Sequence, residues 1–188
     1  HTMPDYTPFH ETPYLSPGFI LPYSASSACY WNRCTFCPEK TEGNSYAHTP
    51  VHEALSDIKH LAGSKKPSLI HFLDNAMSPV LLTAIADNPL GIPWYGFARI
   101  TRHLTDPDFC RKLKRSGCVM LKIGLESGDQ GVLEALDKGV DLAEASKALK
   151  TGGGIESAEK LEGGRDRDLY LSSLRDTRRD ARGGAKYP

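Results

Sequence analysis

The sequence predicts an α/β fold with parallel strands, built as part of a TIM-like (β/α) barrel of about four βα units, with an irregular C-terminal tail. Three observations lead there. From Gly18 to Gly139, short β-like runs alternate with amphipathic helical stretches. The spacing of that alternation implies parallel strands joined by right-handed crossovers. The residues with metal-binding or charged chemistry fall at strand ends: a cysteine loop after the first strand, Asp74 at the end of the second, Arg99 near the end of the third and Glu126 at the end of the fourth. Doubly wound sheets share the alternation, but reactive residues gathered at one mouth favour the barrel.

The elements follow in order. Residues 1–18 hold four prolines and read as an extended linker arriving from something upstream. Phe19–Tyr23 is the first strand and leads into the cysteine loop. Thr49 is the expected N-cap of a helix with Pro50 at its first position, where a missing N–H costs nothing. Val51, Leu55, Ile58 and Leu61 form its apolar stripe, and Gly63 is its expected end. Ser68–Asp74 is the second strand. Ser78 and Pro79 start a helix carrying Val80, Leu81, Ala84 and Ile85. Trp94–Thr101 is the third strand, and Thr105 with Asp108 forms a capping pair for a helix that Gly117 ends. Val119–Glu126 is the fourth strand, followed by a helix through Val132, Leu133 and Leu136.

After about Thr151 the character changes. Gly152–Gly154 and a run dense in Arg and Asp show no strand, so residues 151–188 read as an aberrant or disordered tail. Back-translation of Leu161 to Ala181 with degenerate codons, read one base later, permits a strand-like string. The expectation is that the tail is an out-of-frame translation and the chain a fragment.

Composition narrows the function. The 188 residues suit one domain with a packed core, 23 basic side chains balance 23 acidic ones, and no global field recruits nucleic acid or an anionic membrane. No apolar run approaches the length that spans a bilayer, and nothing resembles a secretion signal. A soluble, cytoplasmic protein is expected. An odd count of five cysteines argues against a disulfide framework.

Three of those cysteines, Cys29, Cys34 and Cys37, fall within nine residues. Thiolates this close can hold one metal centre. Three in place of four leave one iron of a cluster without a protein ligand, open to a small molecule. Structural zinc is the alternative, because Cys34, Cys37, His48 and His52 come near a zinc-finger spacing. Pro50 lies where a finger's helix runs, Thr41 where its aromatic core residue belongs, and Cys29 is left without a role. An iron–sulfur electron carrier is a further alternative, though it normally supplies a fourth ligand. Cys110 and Cys118 read as small buried apolar residues.

The run Cys-Tyr-Trp-Asn-Arg-Cys-Thr-Phe-Cys resembles the cluster loop of the radical S-adenosylmethionine (radical SAM) superfamily, with one extra residue in the first gap. Ile123–Gly128 (IGLESG) resembles that superfamily's fourth-strand motif. Leu21–Glu39, the ARIT segment and the run from Gly117 to Lys138 and Gly139 resemble the subgroup whose barrel follows a cobalamin-binding domain. Ser27 and Ala28 replace that subgroup's common Arg-Gly, and Asn75 replaces a common acidic residue.

The resemblance implies a partial radical SAM barrel over residues 19–150 and a 4Fe–4S cluster on Cys29, Cys34 and Cys37, with S-adenosylmethionine on the free iron. Reductive cleavage would give a 5′-deoxyadenosyl radical that abstracts hydrogen from a small-molecule substrate, with a flavodoxin or ferredoxin as external electron donor. Cobalamin would bind only an upstream domain. Phe36 is implied to lie against adenine, and Glu126 to accept from the ribose or ammonium group. Arg99 would pair with the methionine carboxylate, and Asp74 would face the same opening. For Phe36, Asp74 and Arg99 the competing roles are a core ring, a turn or helix cap and a salt-bridged rim residue. The chain alone is expected to bind a cluster weakly and turn over poorly.

Overall fold

The structure is a computed structural model that describes residues 2–10, 16, 18–153 and 170–173. In chain order the elements are α1 (Thr7–His10), β1 (Ile20–Tyr23), β2 (Ser26–Ser27), α2 (Pro38–Thr41), β3 (Ala47–His48), α3 (Val51–Lys65), β4 (Leu69–Phe72), α4 (Pro79–Asp87) and β5 (Trp94–Ala98). A 3₁₀ turn (Arg102–Thr105) follows, then α5 (Pro107–Arg115), β6 (Cys118–Ile123), α6 (Gln130–Ala135), α7 (Leu142–Gly153) and β7 (Tyr170–Ser173).

One parallel sheet runs β1-β4-β5-β6-β7, and β2 with β3 forms a separate antiparallel pair. The large sheet follows chain order without reversal. Right-handed crossovers repeated in that order put every helix on the same face, whereas a doubly wound sheet must reverse at a switch point. The alternation of burial agrees. Leu21, Tyr23, Ile70, Phe72, Trp94, Leu121 and Ile123 share one core with Ile58 and Leu61 of α3, Leu82 and Ile85 of α4, and Leu113 of α5. The opposite face stays open, with Ile20 and Phe97 among the exposed large apolar residues. Among the described residues the sheet is an open arc with β1 and β7 as its edges.

Local chemistry fixes the boundaries. Ser78 caps α4 by accepting from the Leu81 N–H at 3.2 Å, with Pro79 in the first turn. Asp106, in place of the expected Thr105, caps α5, accepting from the Asp108 N–H at 2.9 Å. The end of α3 lies past Gly63. Lys66 takes the left-handed conformation (φ 47°), its N–H bonds to the Ala62 carbonyl, and Pro67 then prevents continuation. The third and fourth strands are shorter than expected, ending at Ala98 and Ile123, so Arg99 and Glu126 lie on the loops that follow.

Two regions differ from the sequence expectation. The N-terminal stretch holds a one-turn helix, α1, and Tyr6 packs edge-on against Phe19 while its hydroxyl donates to the Pro22 carbonyl of β1. The tail contributes a strand: β7 pairs with β6 from Met120 opposite Tyr170 to Ile123 opposite Ser173. A four-residue Tyr-Leu-Ser-Ser run inside an Arg- and Asp-rich stretch gives no periodic signal, and pairing to an exposed edge supplies what local pattern lacks. The out-of-frame reading otherwise lies outside the described residues. Among the described residues no helix is long and apolar enough to cross a membrane.

Candidate functional site

The cysteine loop leaves β1 and is held from both sides. On one side, Asp74 accepts from the Ala25 N–H at 3.1 Å and from the Ser26 hydroxyl at 2.5 Å, while the Thr49 N–H donates to the Ala25 carbonyl at 2.9 Å. On the other, the turn after α6 grips the loop: the Trp31 indole N–H donates to the Asp137 carbonyl at 2.8 Å, Arg33 pairs with the Asp137 carboxylate at 3.1 Å, and the Thr35 N–H donates to the Leu136 carbonyl at 3.0 Å. Ala28 (φ 58°) and Asn32 (φ 45°) adopt left-handed backbone within the loop. Such geometry costs an L-residue free energy and persists where surrounding contacts over-determine it.

A pocket of about 620 Å³ opens at the ends of β5 and β6, lined by Cys29, Cys34, Cys37, Phe36, Arg99, Glu126 and Lys138 among others. Six of the seven site residues expected from sequence therefore meet in one cavity. Phe36 is half exposed there, so a core role is excluded. Arg99 donates to the Lys138 carbonyl, lies 4.4 Å over the Trp31 ring, and comes within 4.0 Å of the Cys34 Sγ. Glu126 has a left-handed backbone (φ 70°), and its Oε1 accepts from the Lys138 ammonium at 3.2 Å.

Asp74 is the exception. It is fully buried, does not line the pocket, and spends both oxygens on Ala25 and Ser26. Burial pushes its carboxyl above the ordinary range, and the Ser26 and Ala25 hydrogen bonds only partly oppose this. Its place is as a turn residue fixing the start of the cysteine loop, in correction of the cofactor contact expected from sequence.

The sequence reading did not single out Lys138 as a pocket residue. Its side chain is 9% exposed, pairs with Glu126 and lies 5.4 Å from the Phe36 ring centre. The available signal was a lysine beside Gly139 in a turn. Gly139 (φ 62°) is where Trp31 crosses the backbone, and a Cβ there would lie 2.0 Å from the indole.

Among the described residues, no three His, Cys, Asp or Glu side chains converge as ligands of a single metal ion. The zinc arrangement of Cys34, Cys37, His48 and His52 is thereby not formed: His48 stacks on Tyr46, and the His52 side chain is 83% exposed beside Glu53. A zinc site draws four ligands within about 4 Å of one another, whereas a cluster gives each thiolate its own iron. Cys29, Cys34 and Cys37 all line the one cavity. The other two cysteines lie in the core, where burial raises the Cys110 thiol to about 11 and the Cys118 thiol well above its usual value.

No family model matches the chain, and no curated protein matches it. Solved structures do. The structure of the cobalamin-dependent S-adenosylmethionine radical enzyme OxsB with aqua-cobalamin bound superposes with a TM-score of 0.58 at 19% identity, over 82% of this chain and 23% of that one. OxsB with aqua-cobalamin and S-adenosylmethionine bound gives 0.57 at 20% identity, over 82% and 24%. The radical S-adenosylmethionine methyltransferase TsrM from Kitasatospora setae, with cobalamin and a [4Fe-4S] cluster bound, gives 0.60 at 18% identity, over 83% and 30%. The chain spans about a quarter of the length of these enzymes and has the fold of that part of them.

Proposed function

We propose that this chain is the cluster-bearing part of a radical S-adenosylmethionine enzyme. Cys29, Cys34 and Cys37 would hold a 4Fe–4S cluster, and the pocket beside them would take S-adenosylmethionine. The observation that carries the reading is that three thiols, an exposed aromatic ring and an ion-paired carboxylate line one cavity at the strand ends. The fold shared with solved radical S-adenosylmethionine enzymes supports it. A cluster held by Cys29, Cys34 and Cys37 would supply one-electron chemistry for reductive cleavage of the sulfonium.

The chain's own residues orient and shield. Phe36 offers a ring face to adenine, and Glu126 offers acceptor oxygens to ribose hydroxyls or to the ammonium group. Lys138 holds that carboxylate in place from its buried side. Arg99 keeps guanidinium donors for the methionine carboxylate beyond those spent on Lys138 and Cys34. The Trp31 ring holds the Arg33 and Arg99 guanidiniums 5.1 Å and 4.4 Å from its centre, which helps orient Arg99. An external flavodoxin- or ferredoxin-type donor would deliver the electron.

Anaerobic reconstitution with iron and sulfide tests this. The expected result is about four irons and four sulfides per chain, lost when Cys29, Cys34 and Cys37 are changed to Ser, with an EPR signal of the reduced cluster that shifts on adding S-adenosylmethionine. Iron retained by the serine variant, or a signal indifferent to S-adenosylmethionine, would refute it; the second outcome describes an electron carrier.

A further inference from the structure

Five charged side chains line the pocket: Glu39, Arg99, Lys122, Glu126 and Lys138. Four have polar protein partners. Glu39 accepts from Asn75 at 2.7 Å and from Asn44 at 3.0 Å, Glu126 and Lys138 pair at 3.2 Å, and Arg99 donates to the Lys138 carbonyl. Lys122 differs. Among the described residues its ammonium meets two aromatic rings, 5.2 Å from the centre of Tyr95 and 5.3 Å from that of Phe97.

We propose that Lys122 anchors the carboxylate of a substrate whose apolar body lies along the open face of the sheet. The proposal rests on the cofactor reading, which puts the reactive end of the pocket at the thiols. Lys122 sits on β6 opposite Phe97 of β5, on the face turned away from the helices. Ring contacts satisfy an ammonium only weakly, while the same rings exclude water and strengthen any ion pair formed beside them. An incoming carboxylate would therefore find a positive charge with its hydration already reduced. Phe97, 39% exposed, supplies apolar surface for the rest of the ligand. His71 stacks on Tyr95 at 4.2 Å, and burial followed by Lys122 lowers its pKa, so the cluster presents one positive point and suits a monoanion.

Carboxylate chemistry could equally come from S-adenosylmethionine itself, and the test separates the two. Benzoate, benzamide and inorganic phosphate are titrated into the ¹⁵N-labelled chain without cluster, following the amide signals of Phe97, Lys122 and Gly124. Saturable shifts with benzoate are expected, with binding at least tenfold weaker for benzamide and at least tenfold weaker for benzoate in Lys122→Met. Equal binding of benzoate and benzamide, an unaffected Lys122→Met, phosphate matching benzoate, or no saturation each overturns the proposal. Should Lys122→Met misfold, Lys122→Arg is expected to fold and keep benzoate affinity within a fewfold, and a tenfold loss there also overturns it. In the reconstituted protein, S-adenosylmethionine affinity should be the same in Lys122→Met; a tenfold loss assigns the anion to that cofactor and overturns the substrate assignment. Benzoate binding by a chain that fails to retain iron leaves the anion site standing and removes only the cofactor reading.

Discussion

Replacing Gly139 by Ala should loosen the whole cysteine loop, from a position remote in sequence. The new Cβ would lie 2.0 Å and 2.3 Å from two carbons of the Trp31 indole, far inside contact distance. The indole cannot swing aside cheaply. Its N–H is bonded to the Asp137 carbonyl at 2.8 Å, and its faces carry Arg33 at 5.1 Å and Arg99 at 4.4 Å. The left-handed backbone (φ 62°) adds about 1–2 kcal/mol for any L-residue, and overpacking about 1–3 kcal/mol, giving roughly 2–5 kcal/mol in all. Against a total stability of about 5–15 kcal/mol this is a large share. With a urea m-value of about 2 kcal/mol per molar, the unfolding midpoint should fall by about 1–2.5 M. Adding Trp31→Ala to Gly139→Ala removes the collision, so the two changes should cost less together than the sum of each alone, by at least about 1 kcal/mol. Gly63→Ala is the opposite control: α3 has open space there, and the gain should be about 0.5–1 kcal/mol. A Gly139→Ala protein that unfolds at the parent midpoint would refute the argument.

Asp74→Asn tests the buried carboxylate by its pH dependence. Burial raises the folded pKa, so the proton-linked stability is fully present below the unfolded value of about 4 and is lost as pH rises through the higher folded value. Urea midpoints of the parent should therefore fall relative to Asp74→Asn between acid and neutral pH, and parallel profiles would count against it. Thiol labelling of the native chain should be fast at Cys29 and Cys37, which are half-buried at the pocket, slower at Cys34, which lines the pocket but is buried, and slowest at Cys110 and Cys118, which are buried in the core with raised pKa values. Mass spectrometry of the labelled peptides checks this.

The parts of the fold legible in sequence are those with short-range causes. Ser78 followed by Pro79 is a cap that works through its own next three residues, and the structure has it. The α3 terminus was not legible because a residue with a side chain seldom takes the left-handed position, yet Lys66 does so just before Pro67, which cannot continue the helix. Asp74 shows the same limit in the site. A carboxylate ending a strand fits a ligand and a buried acceptor equally well, and the choice depends on where Ala25 and Ser26, about fifty positions earlier, return to meet it. Lys138 was hidden for a similar reason: its pairing with Glu126 across twelve residues needs both left-handed turns, at Glu126 and at Asp137–Gly139, to be in place. Chirality fixes the hand of each crossover, and the chemistry-bearing residues at one set of strand ends favoured a sheet without reversal, so the winding was predictable where the individual contacts were not.

The contact between Tyr6 and Pro22 has a consequence for what can join the sheet at β1. Pro22 has no amide hydrogen to offer, and its outward carbonyl is already taken by the phenol. Backbone zippering of a foreign strand along that margin would miss a donor and compete for an occupied acceptor at the same rung. A foreign strand there would have to skip this rung, which weakens fibril-like stacking on this flank of the protein.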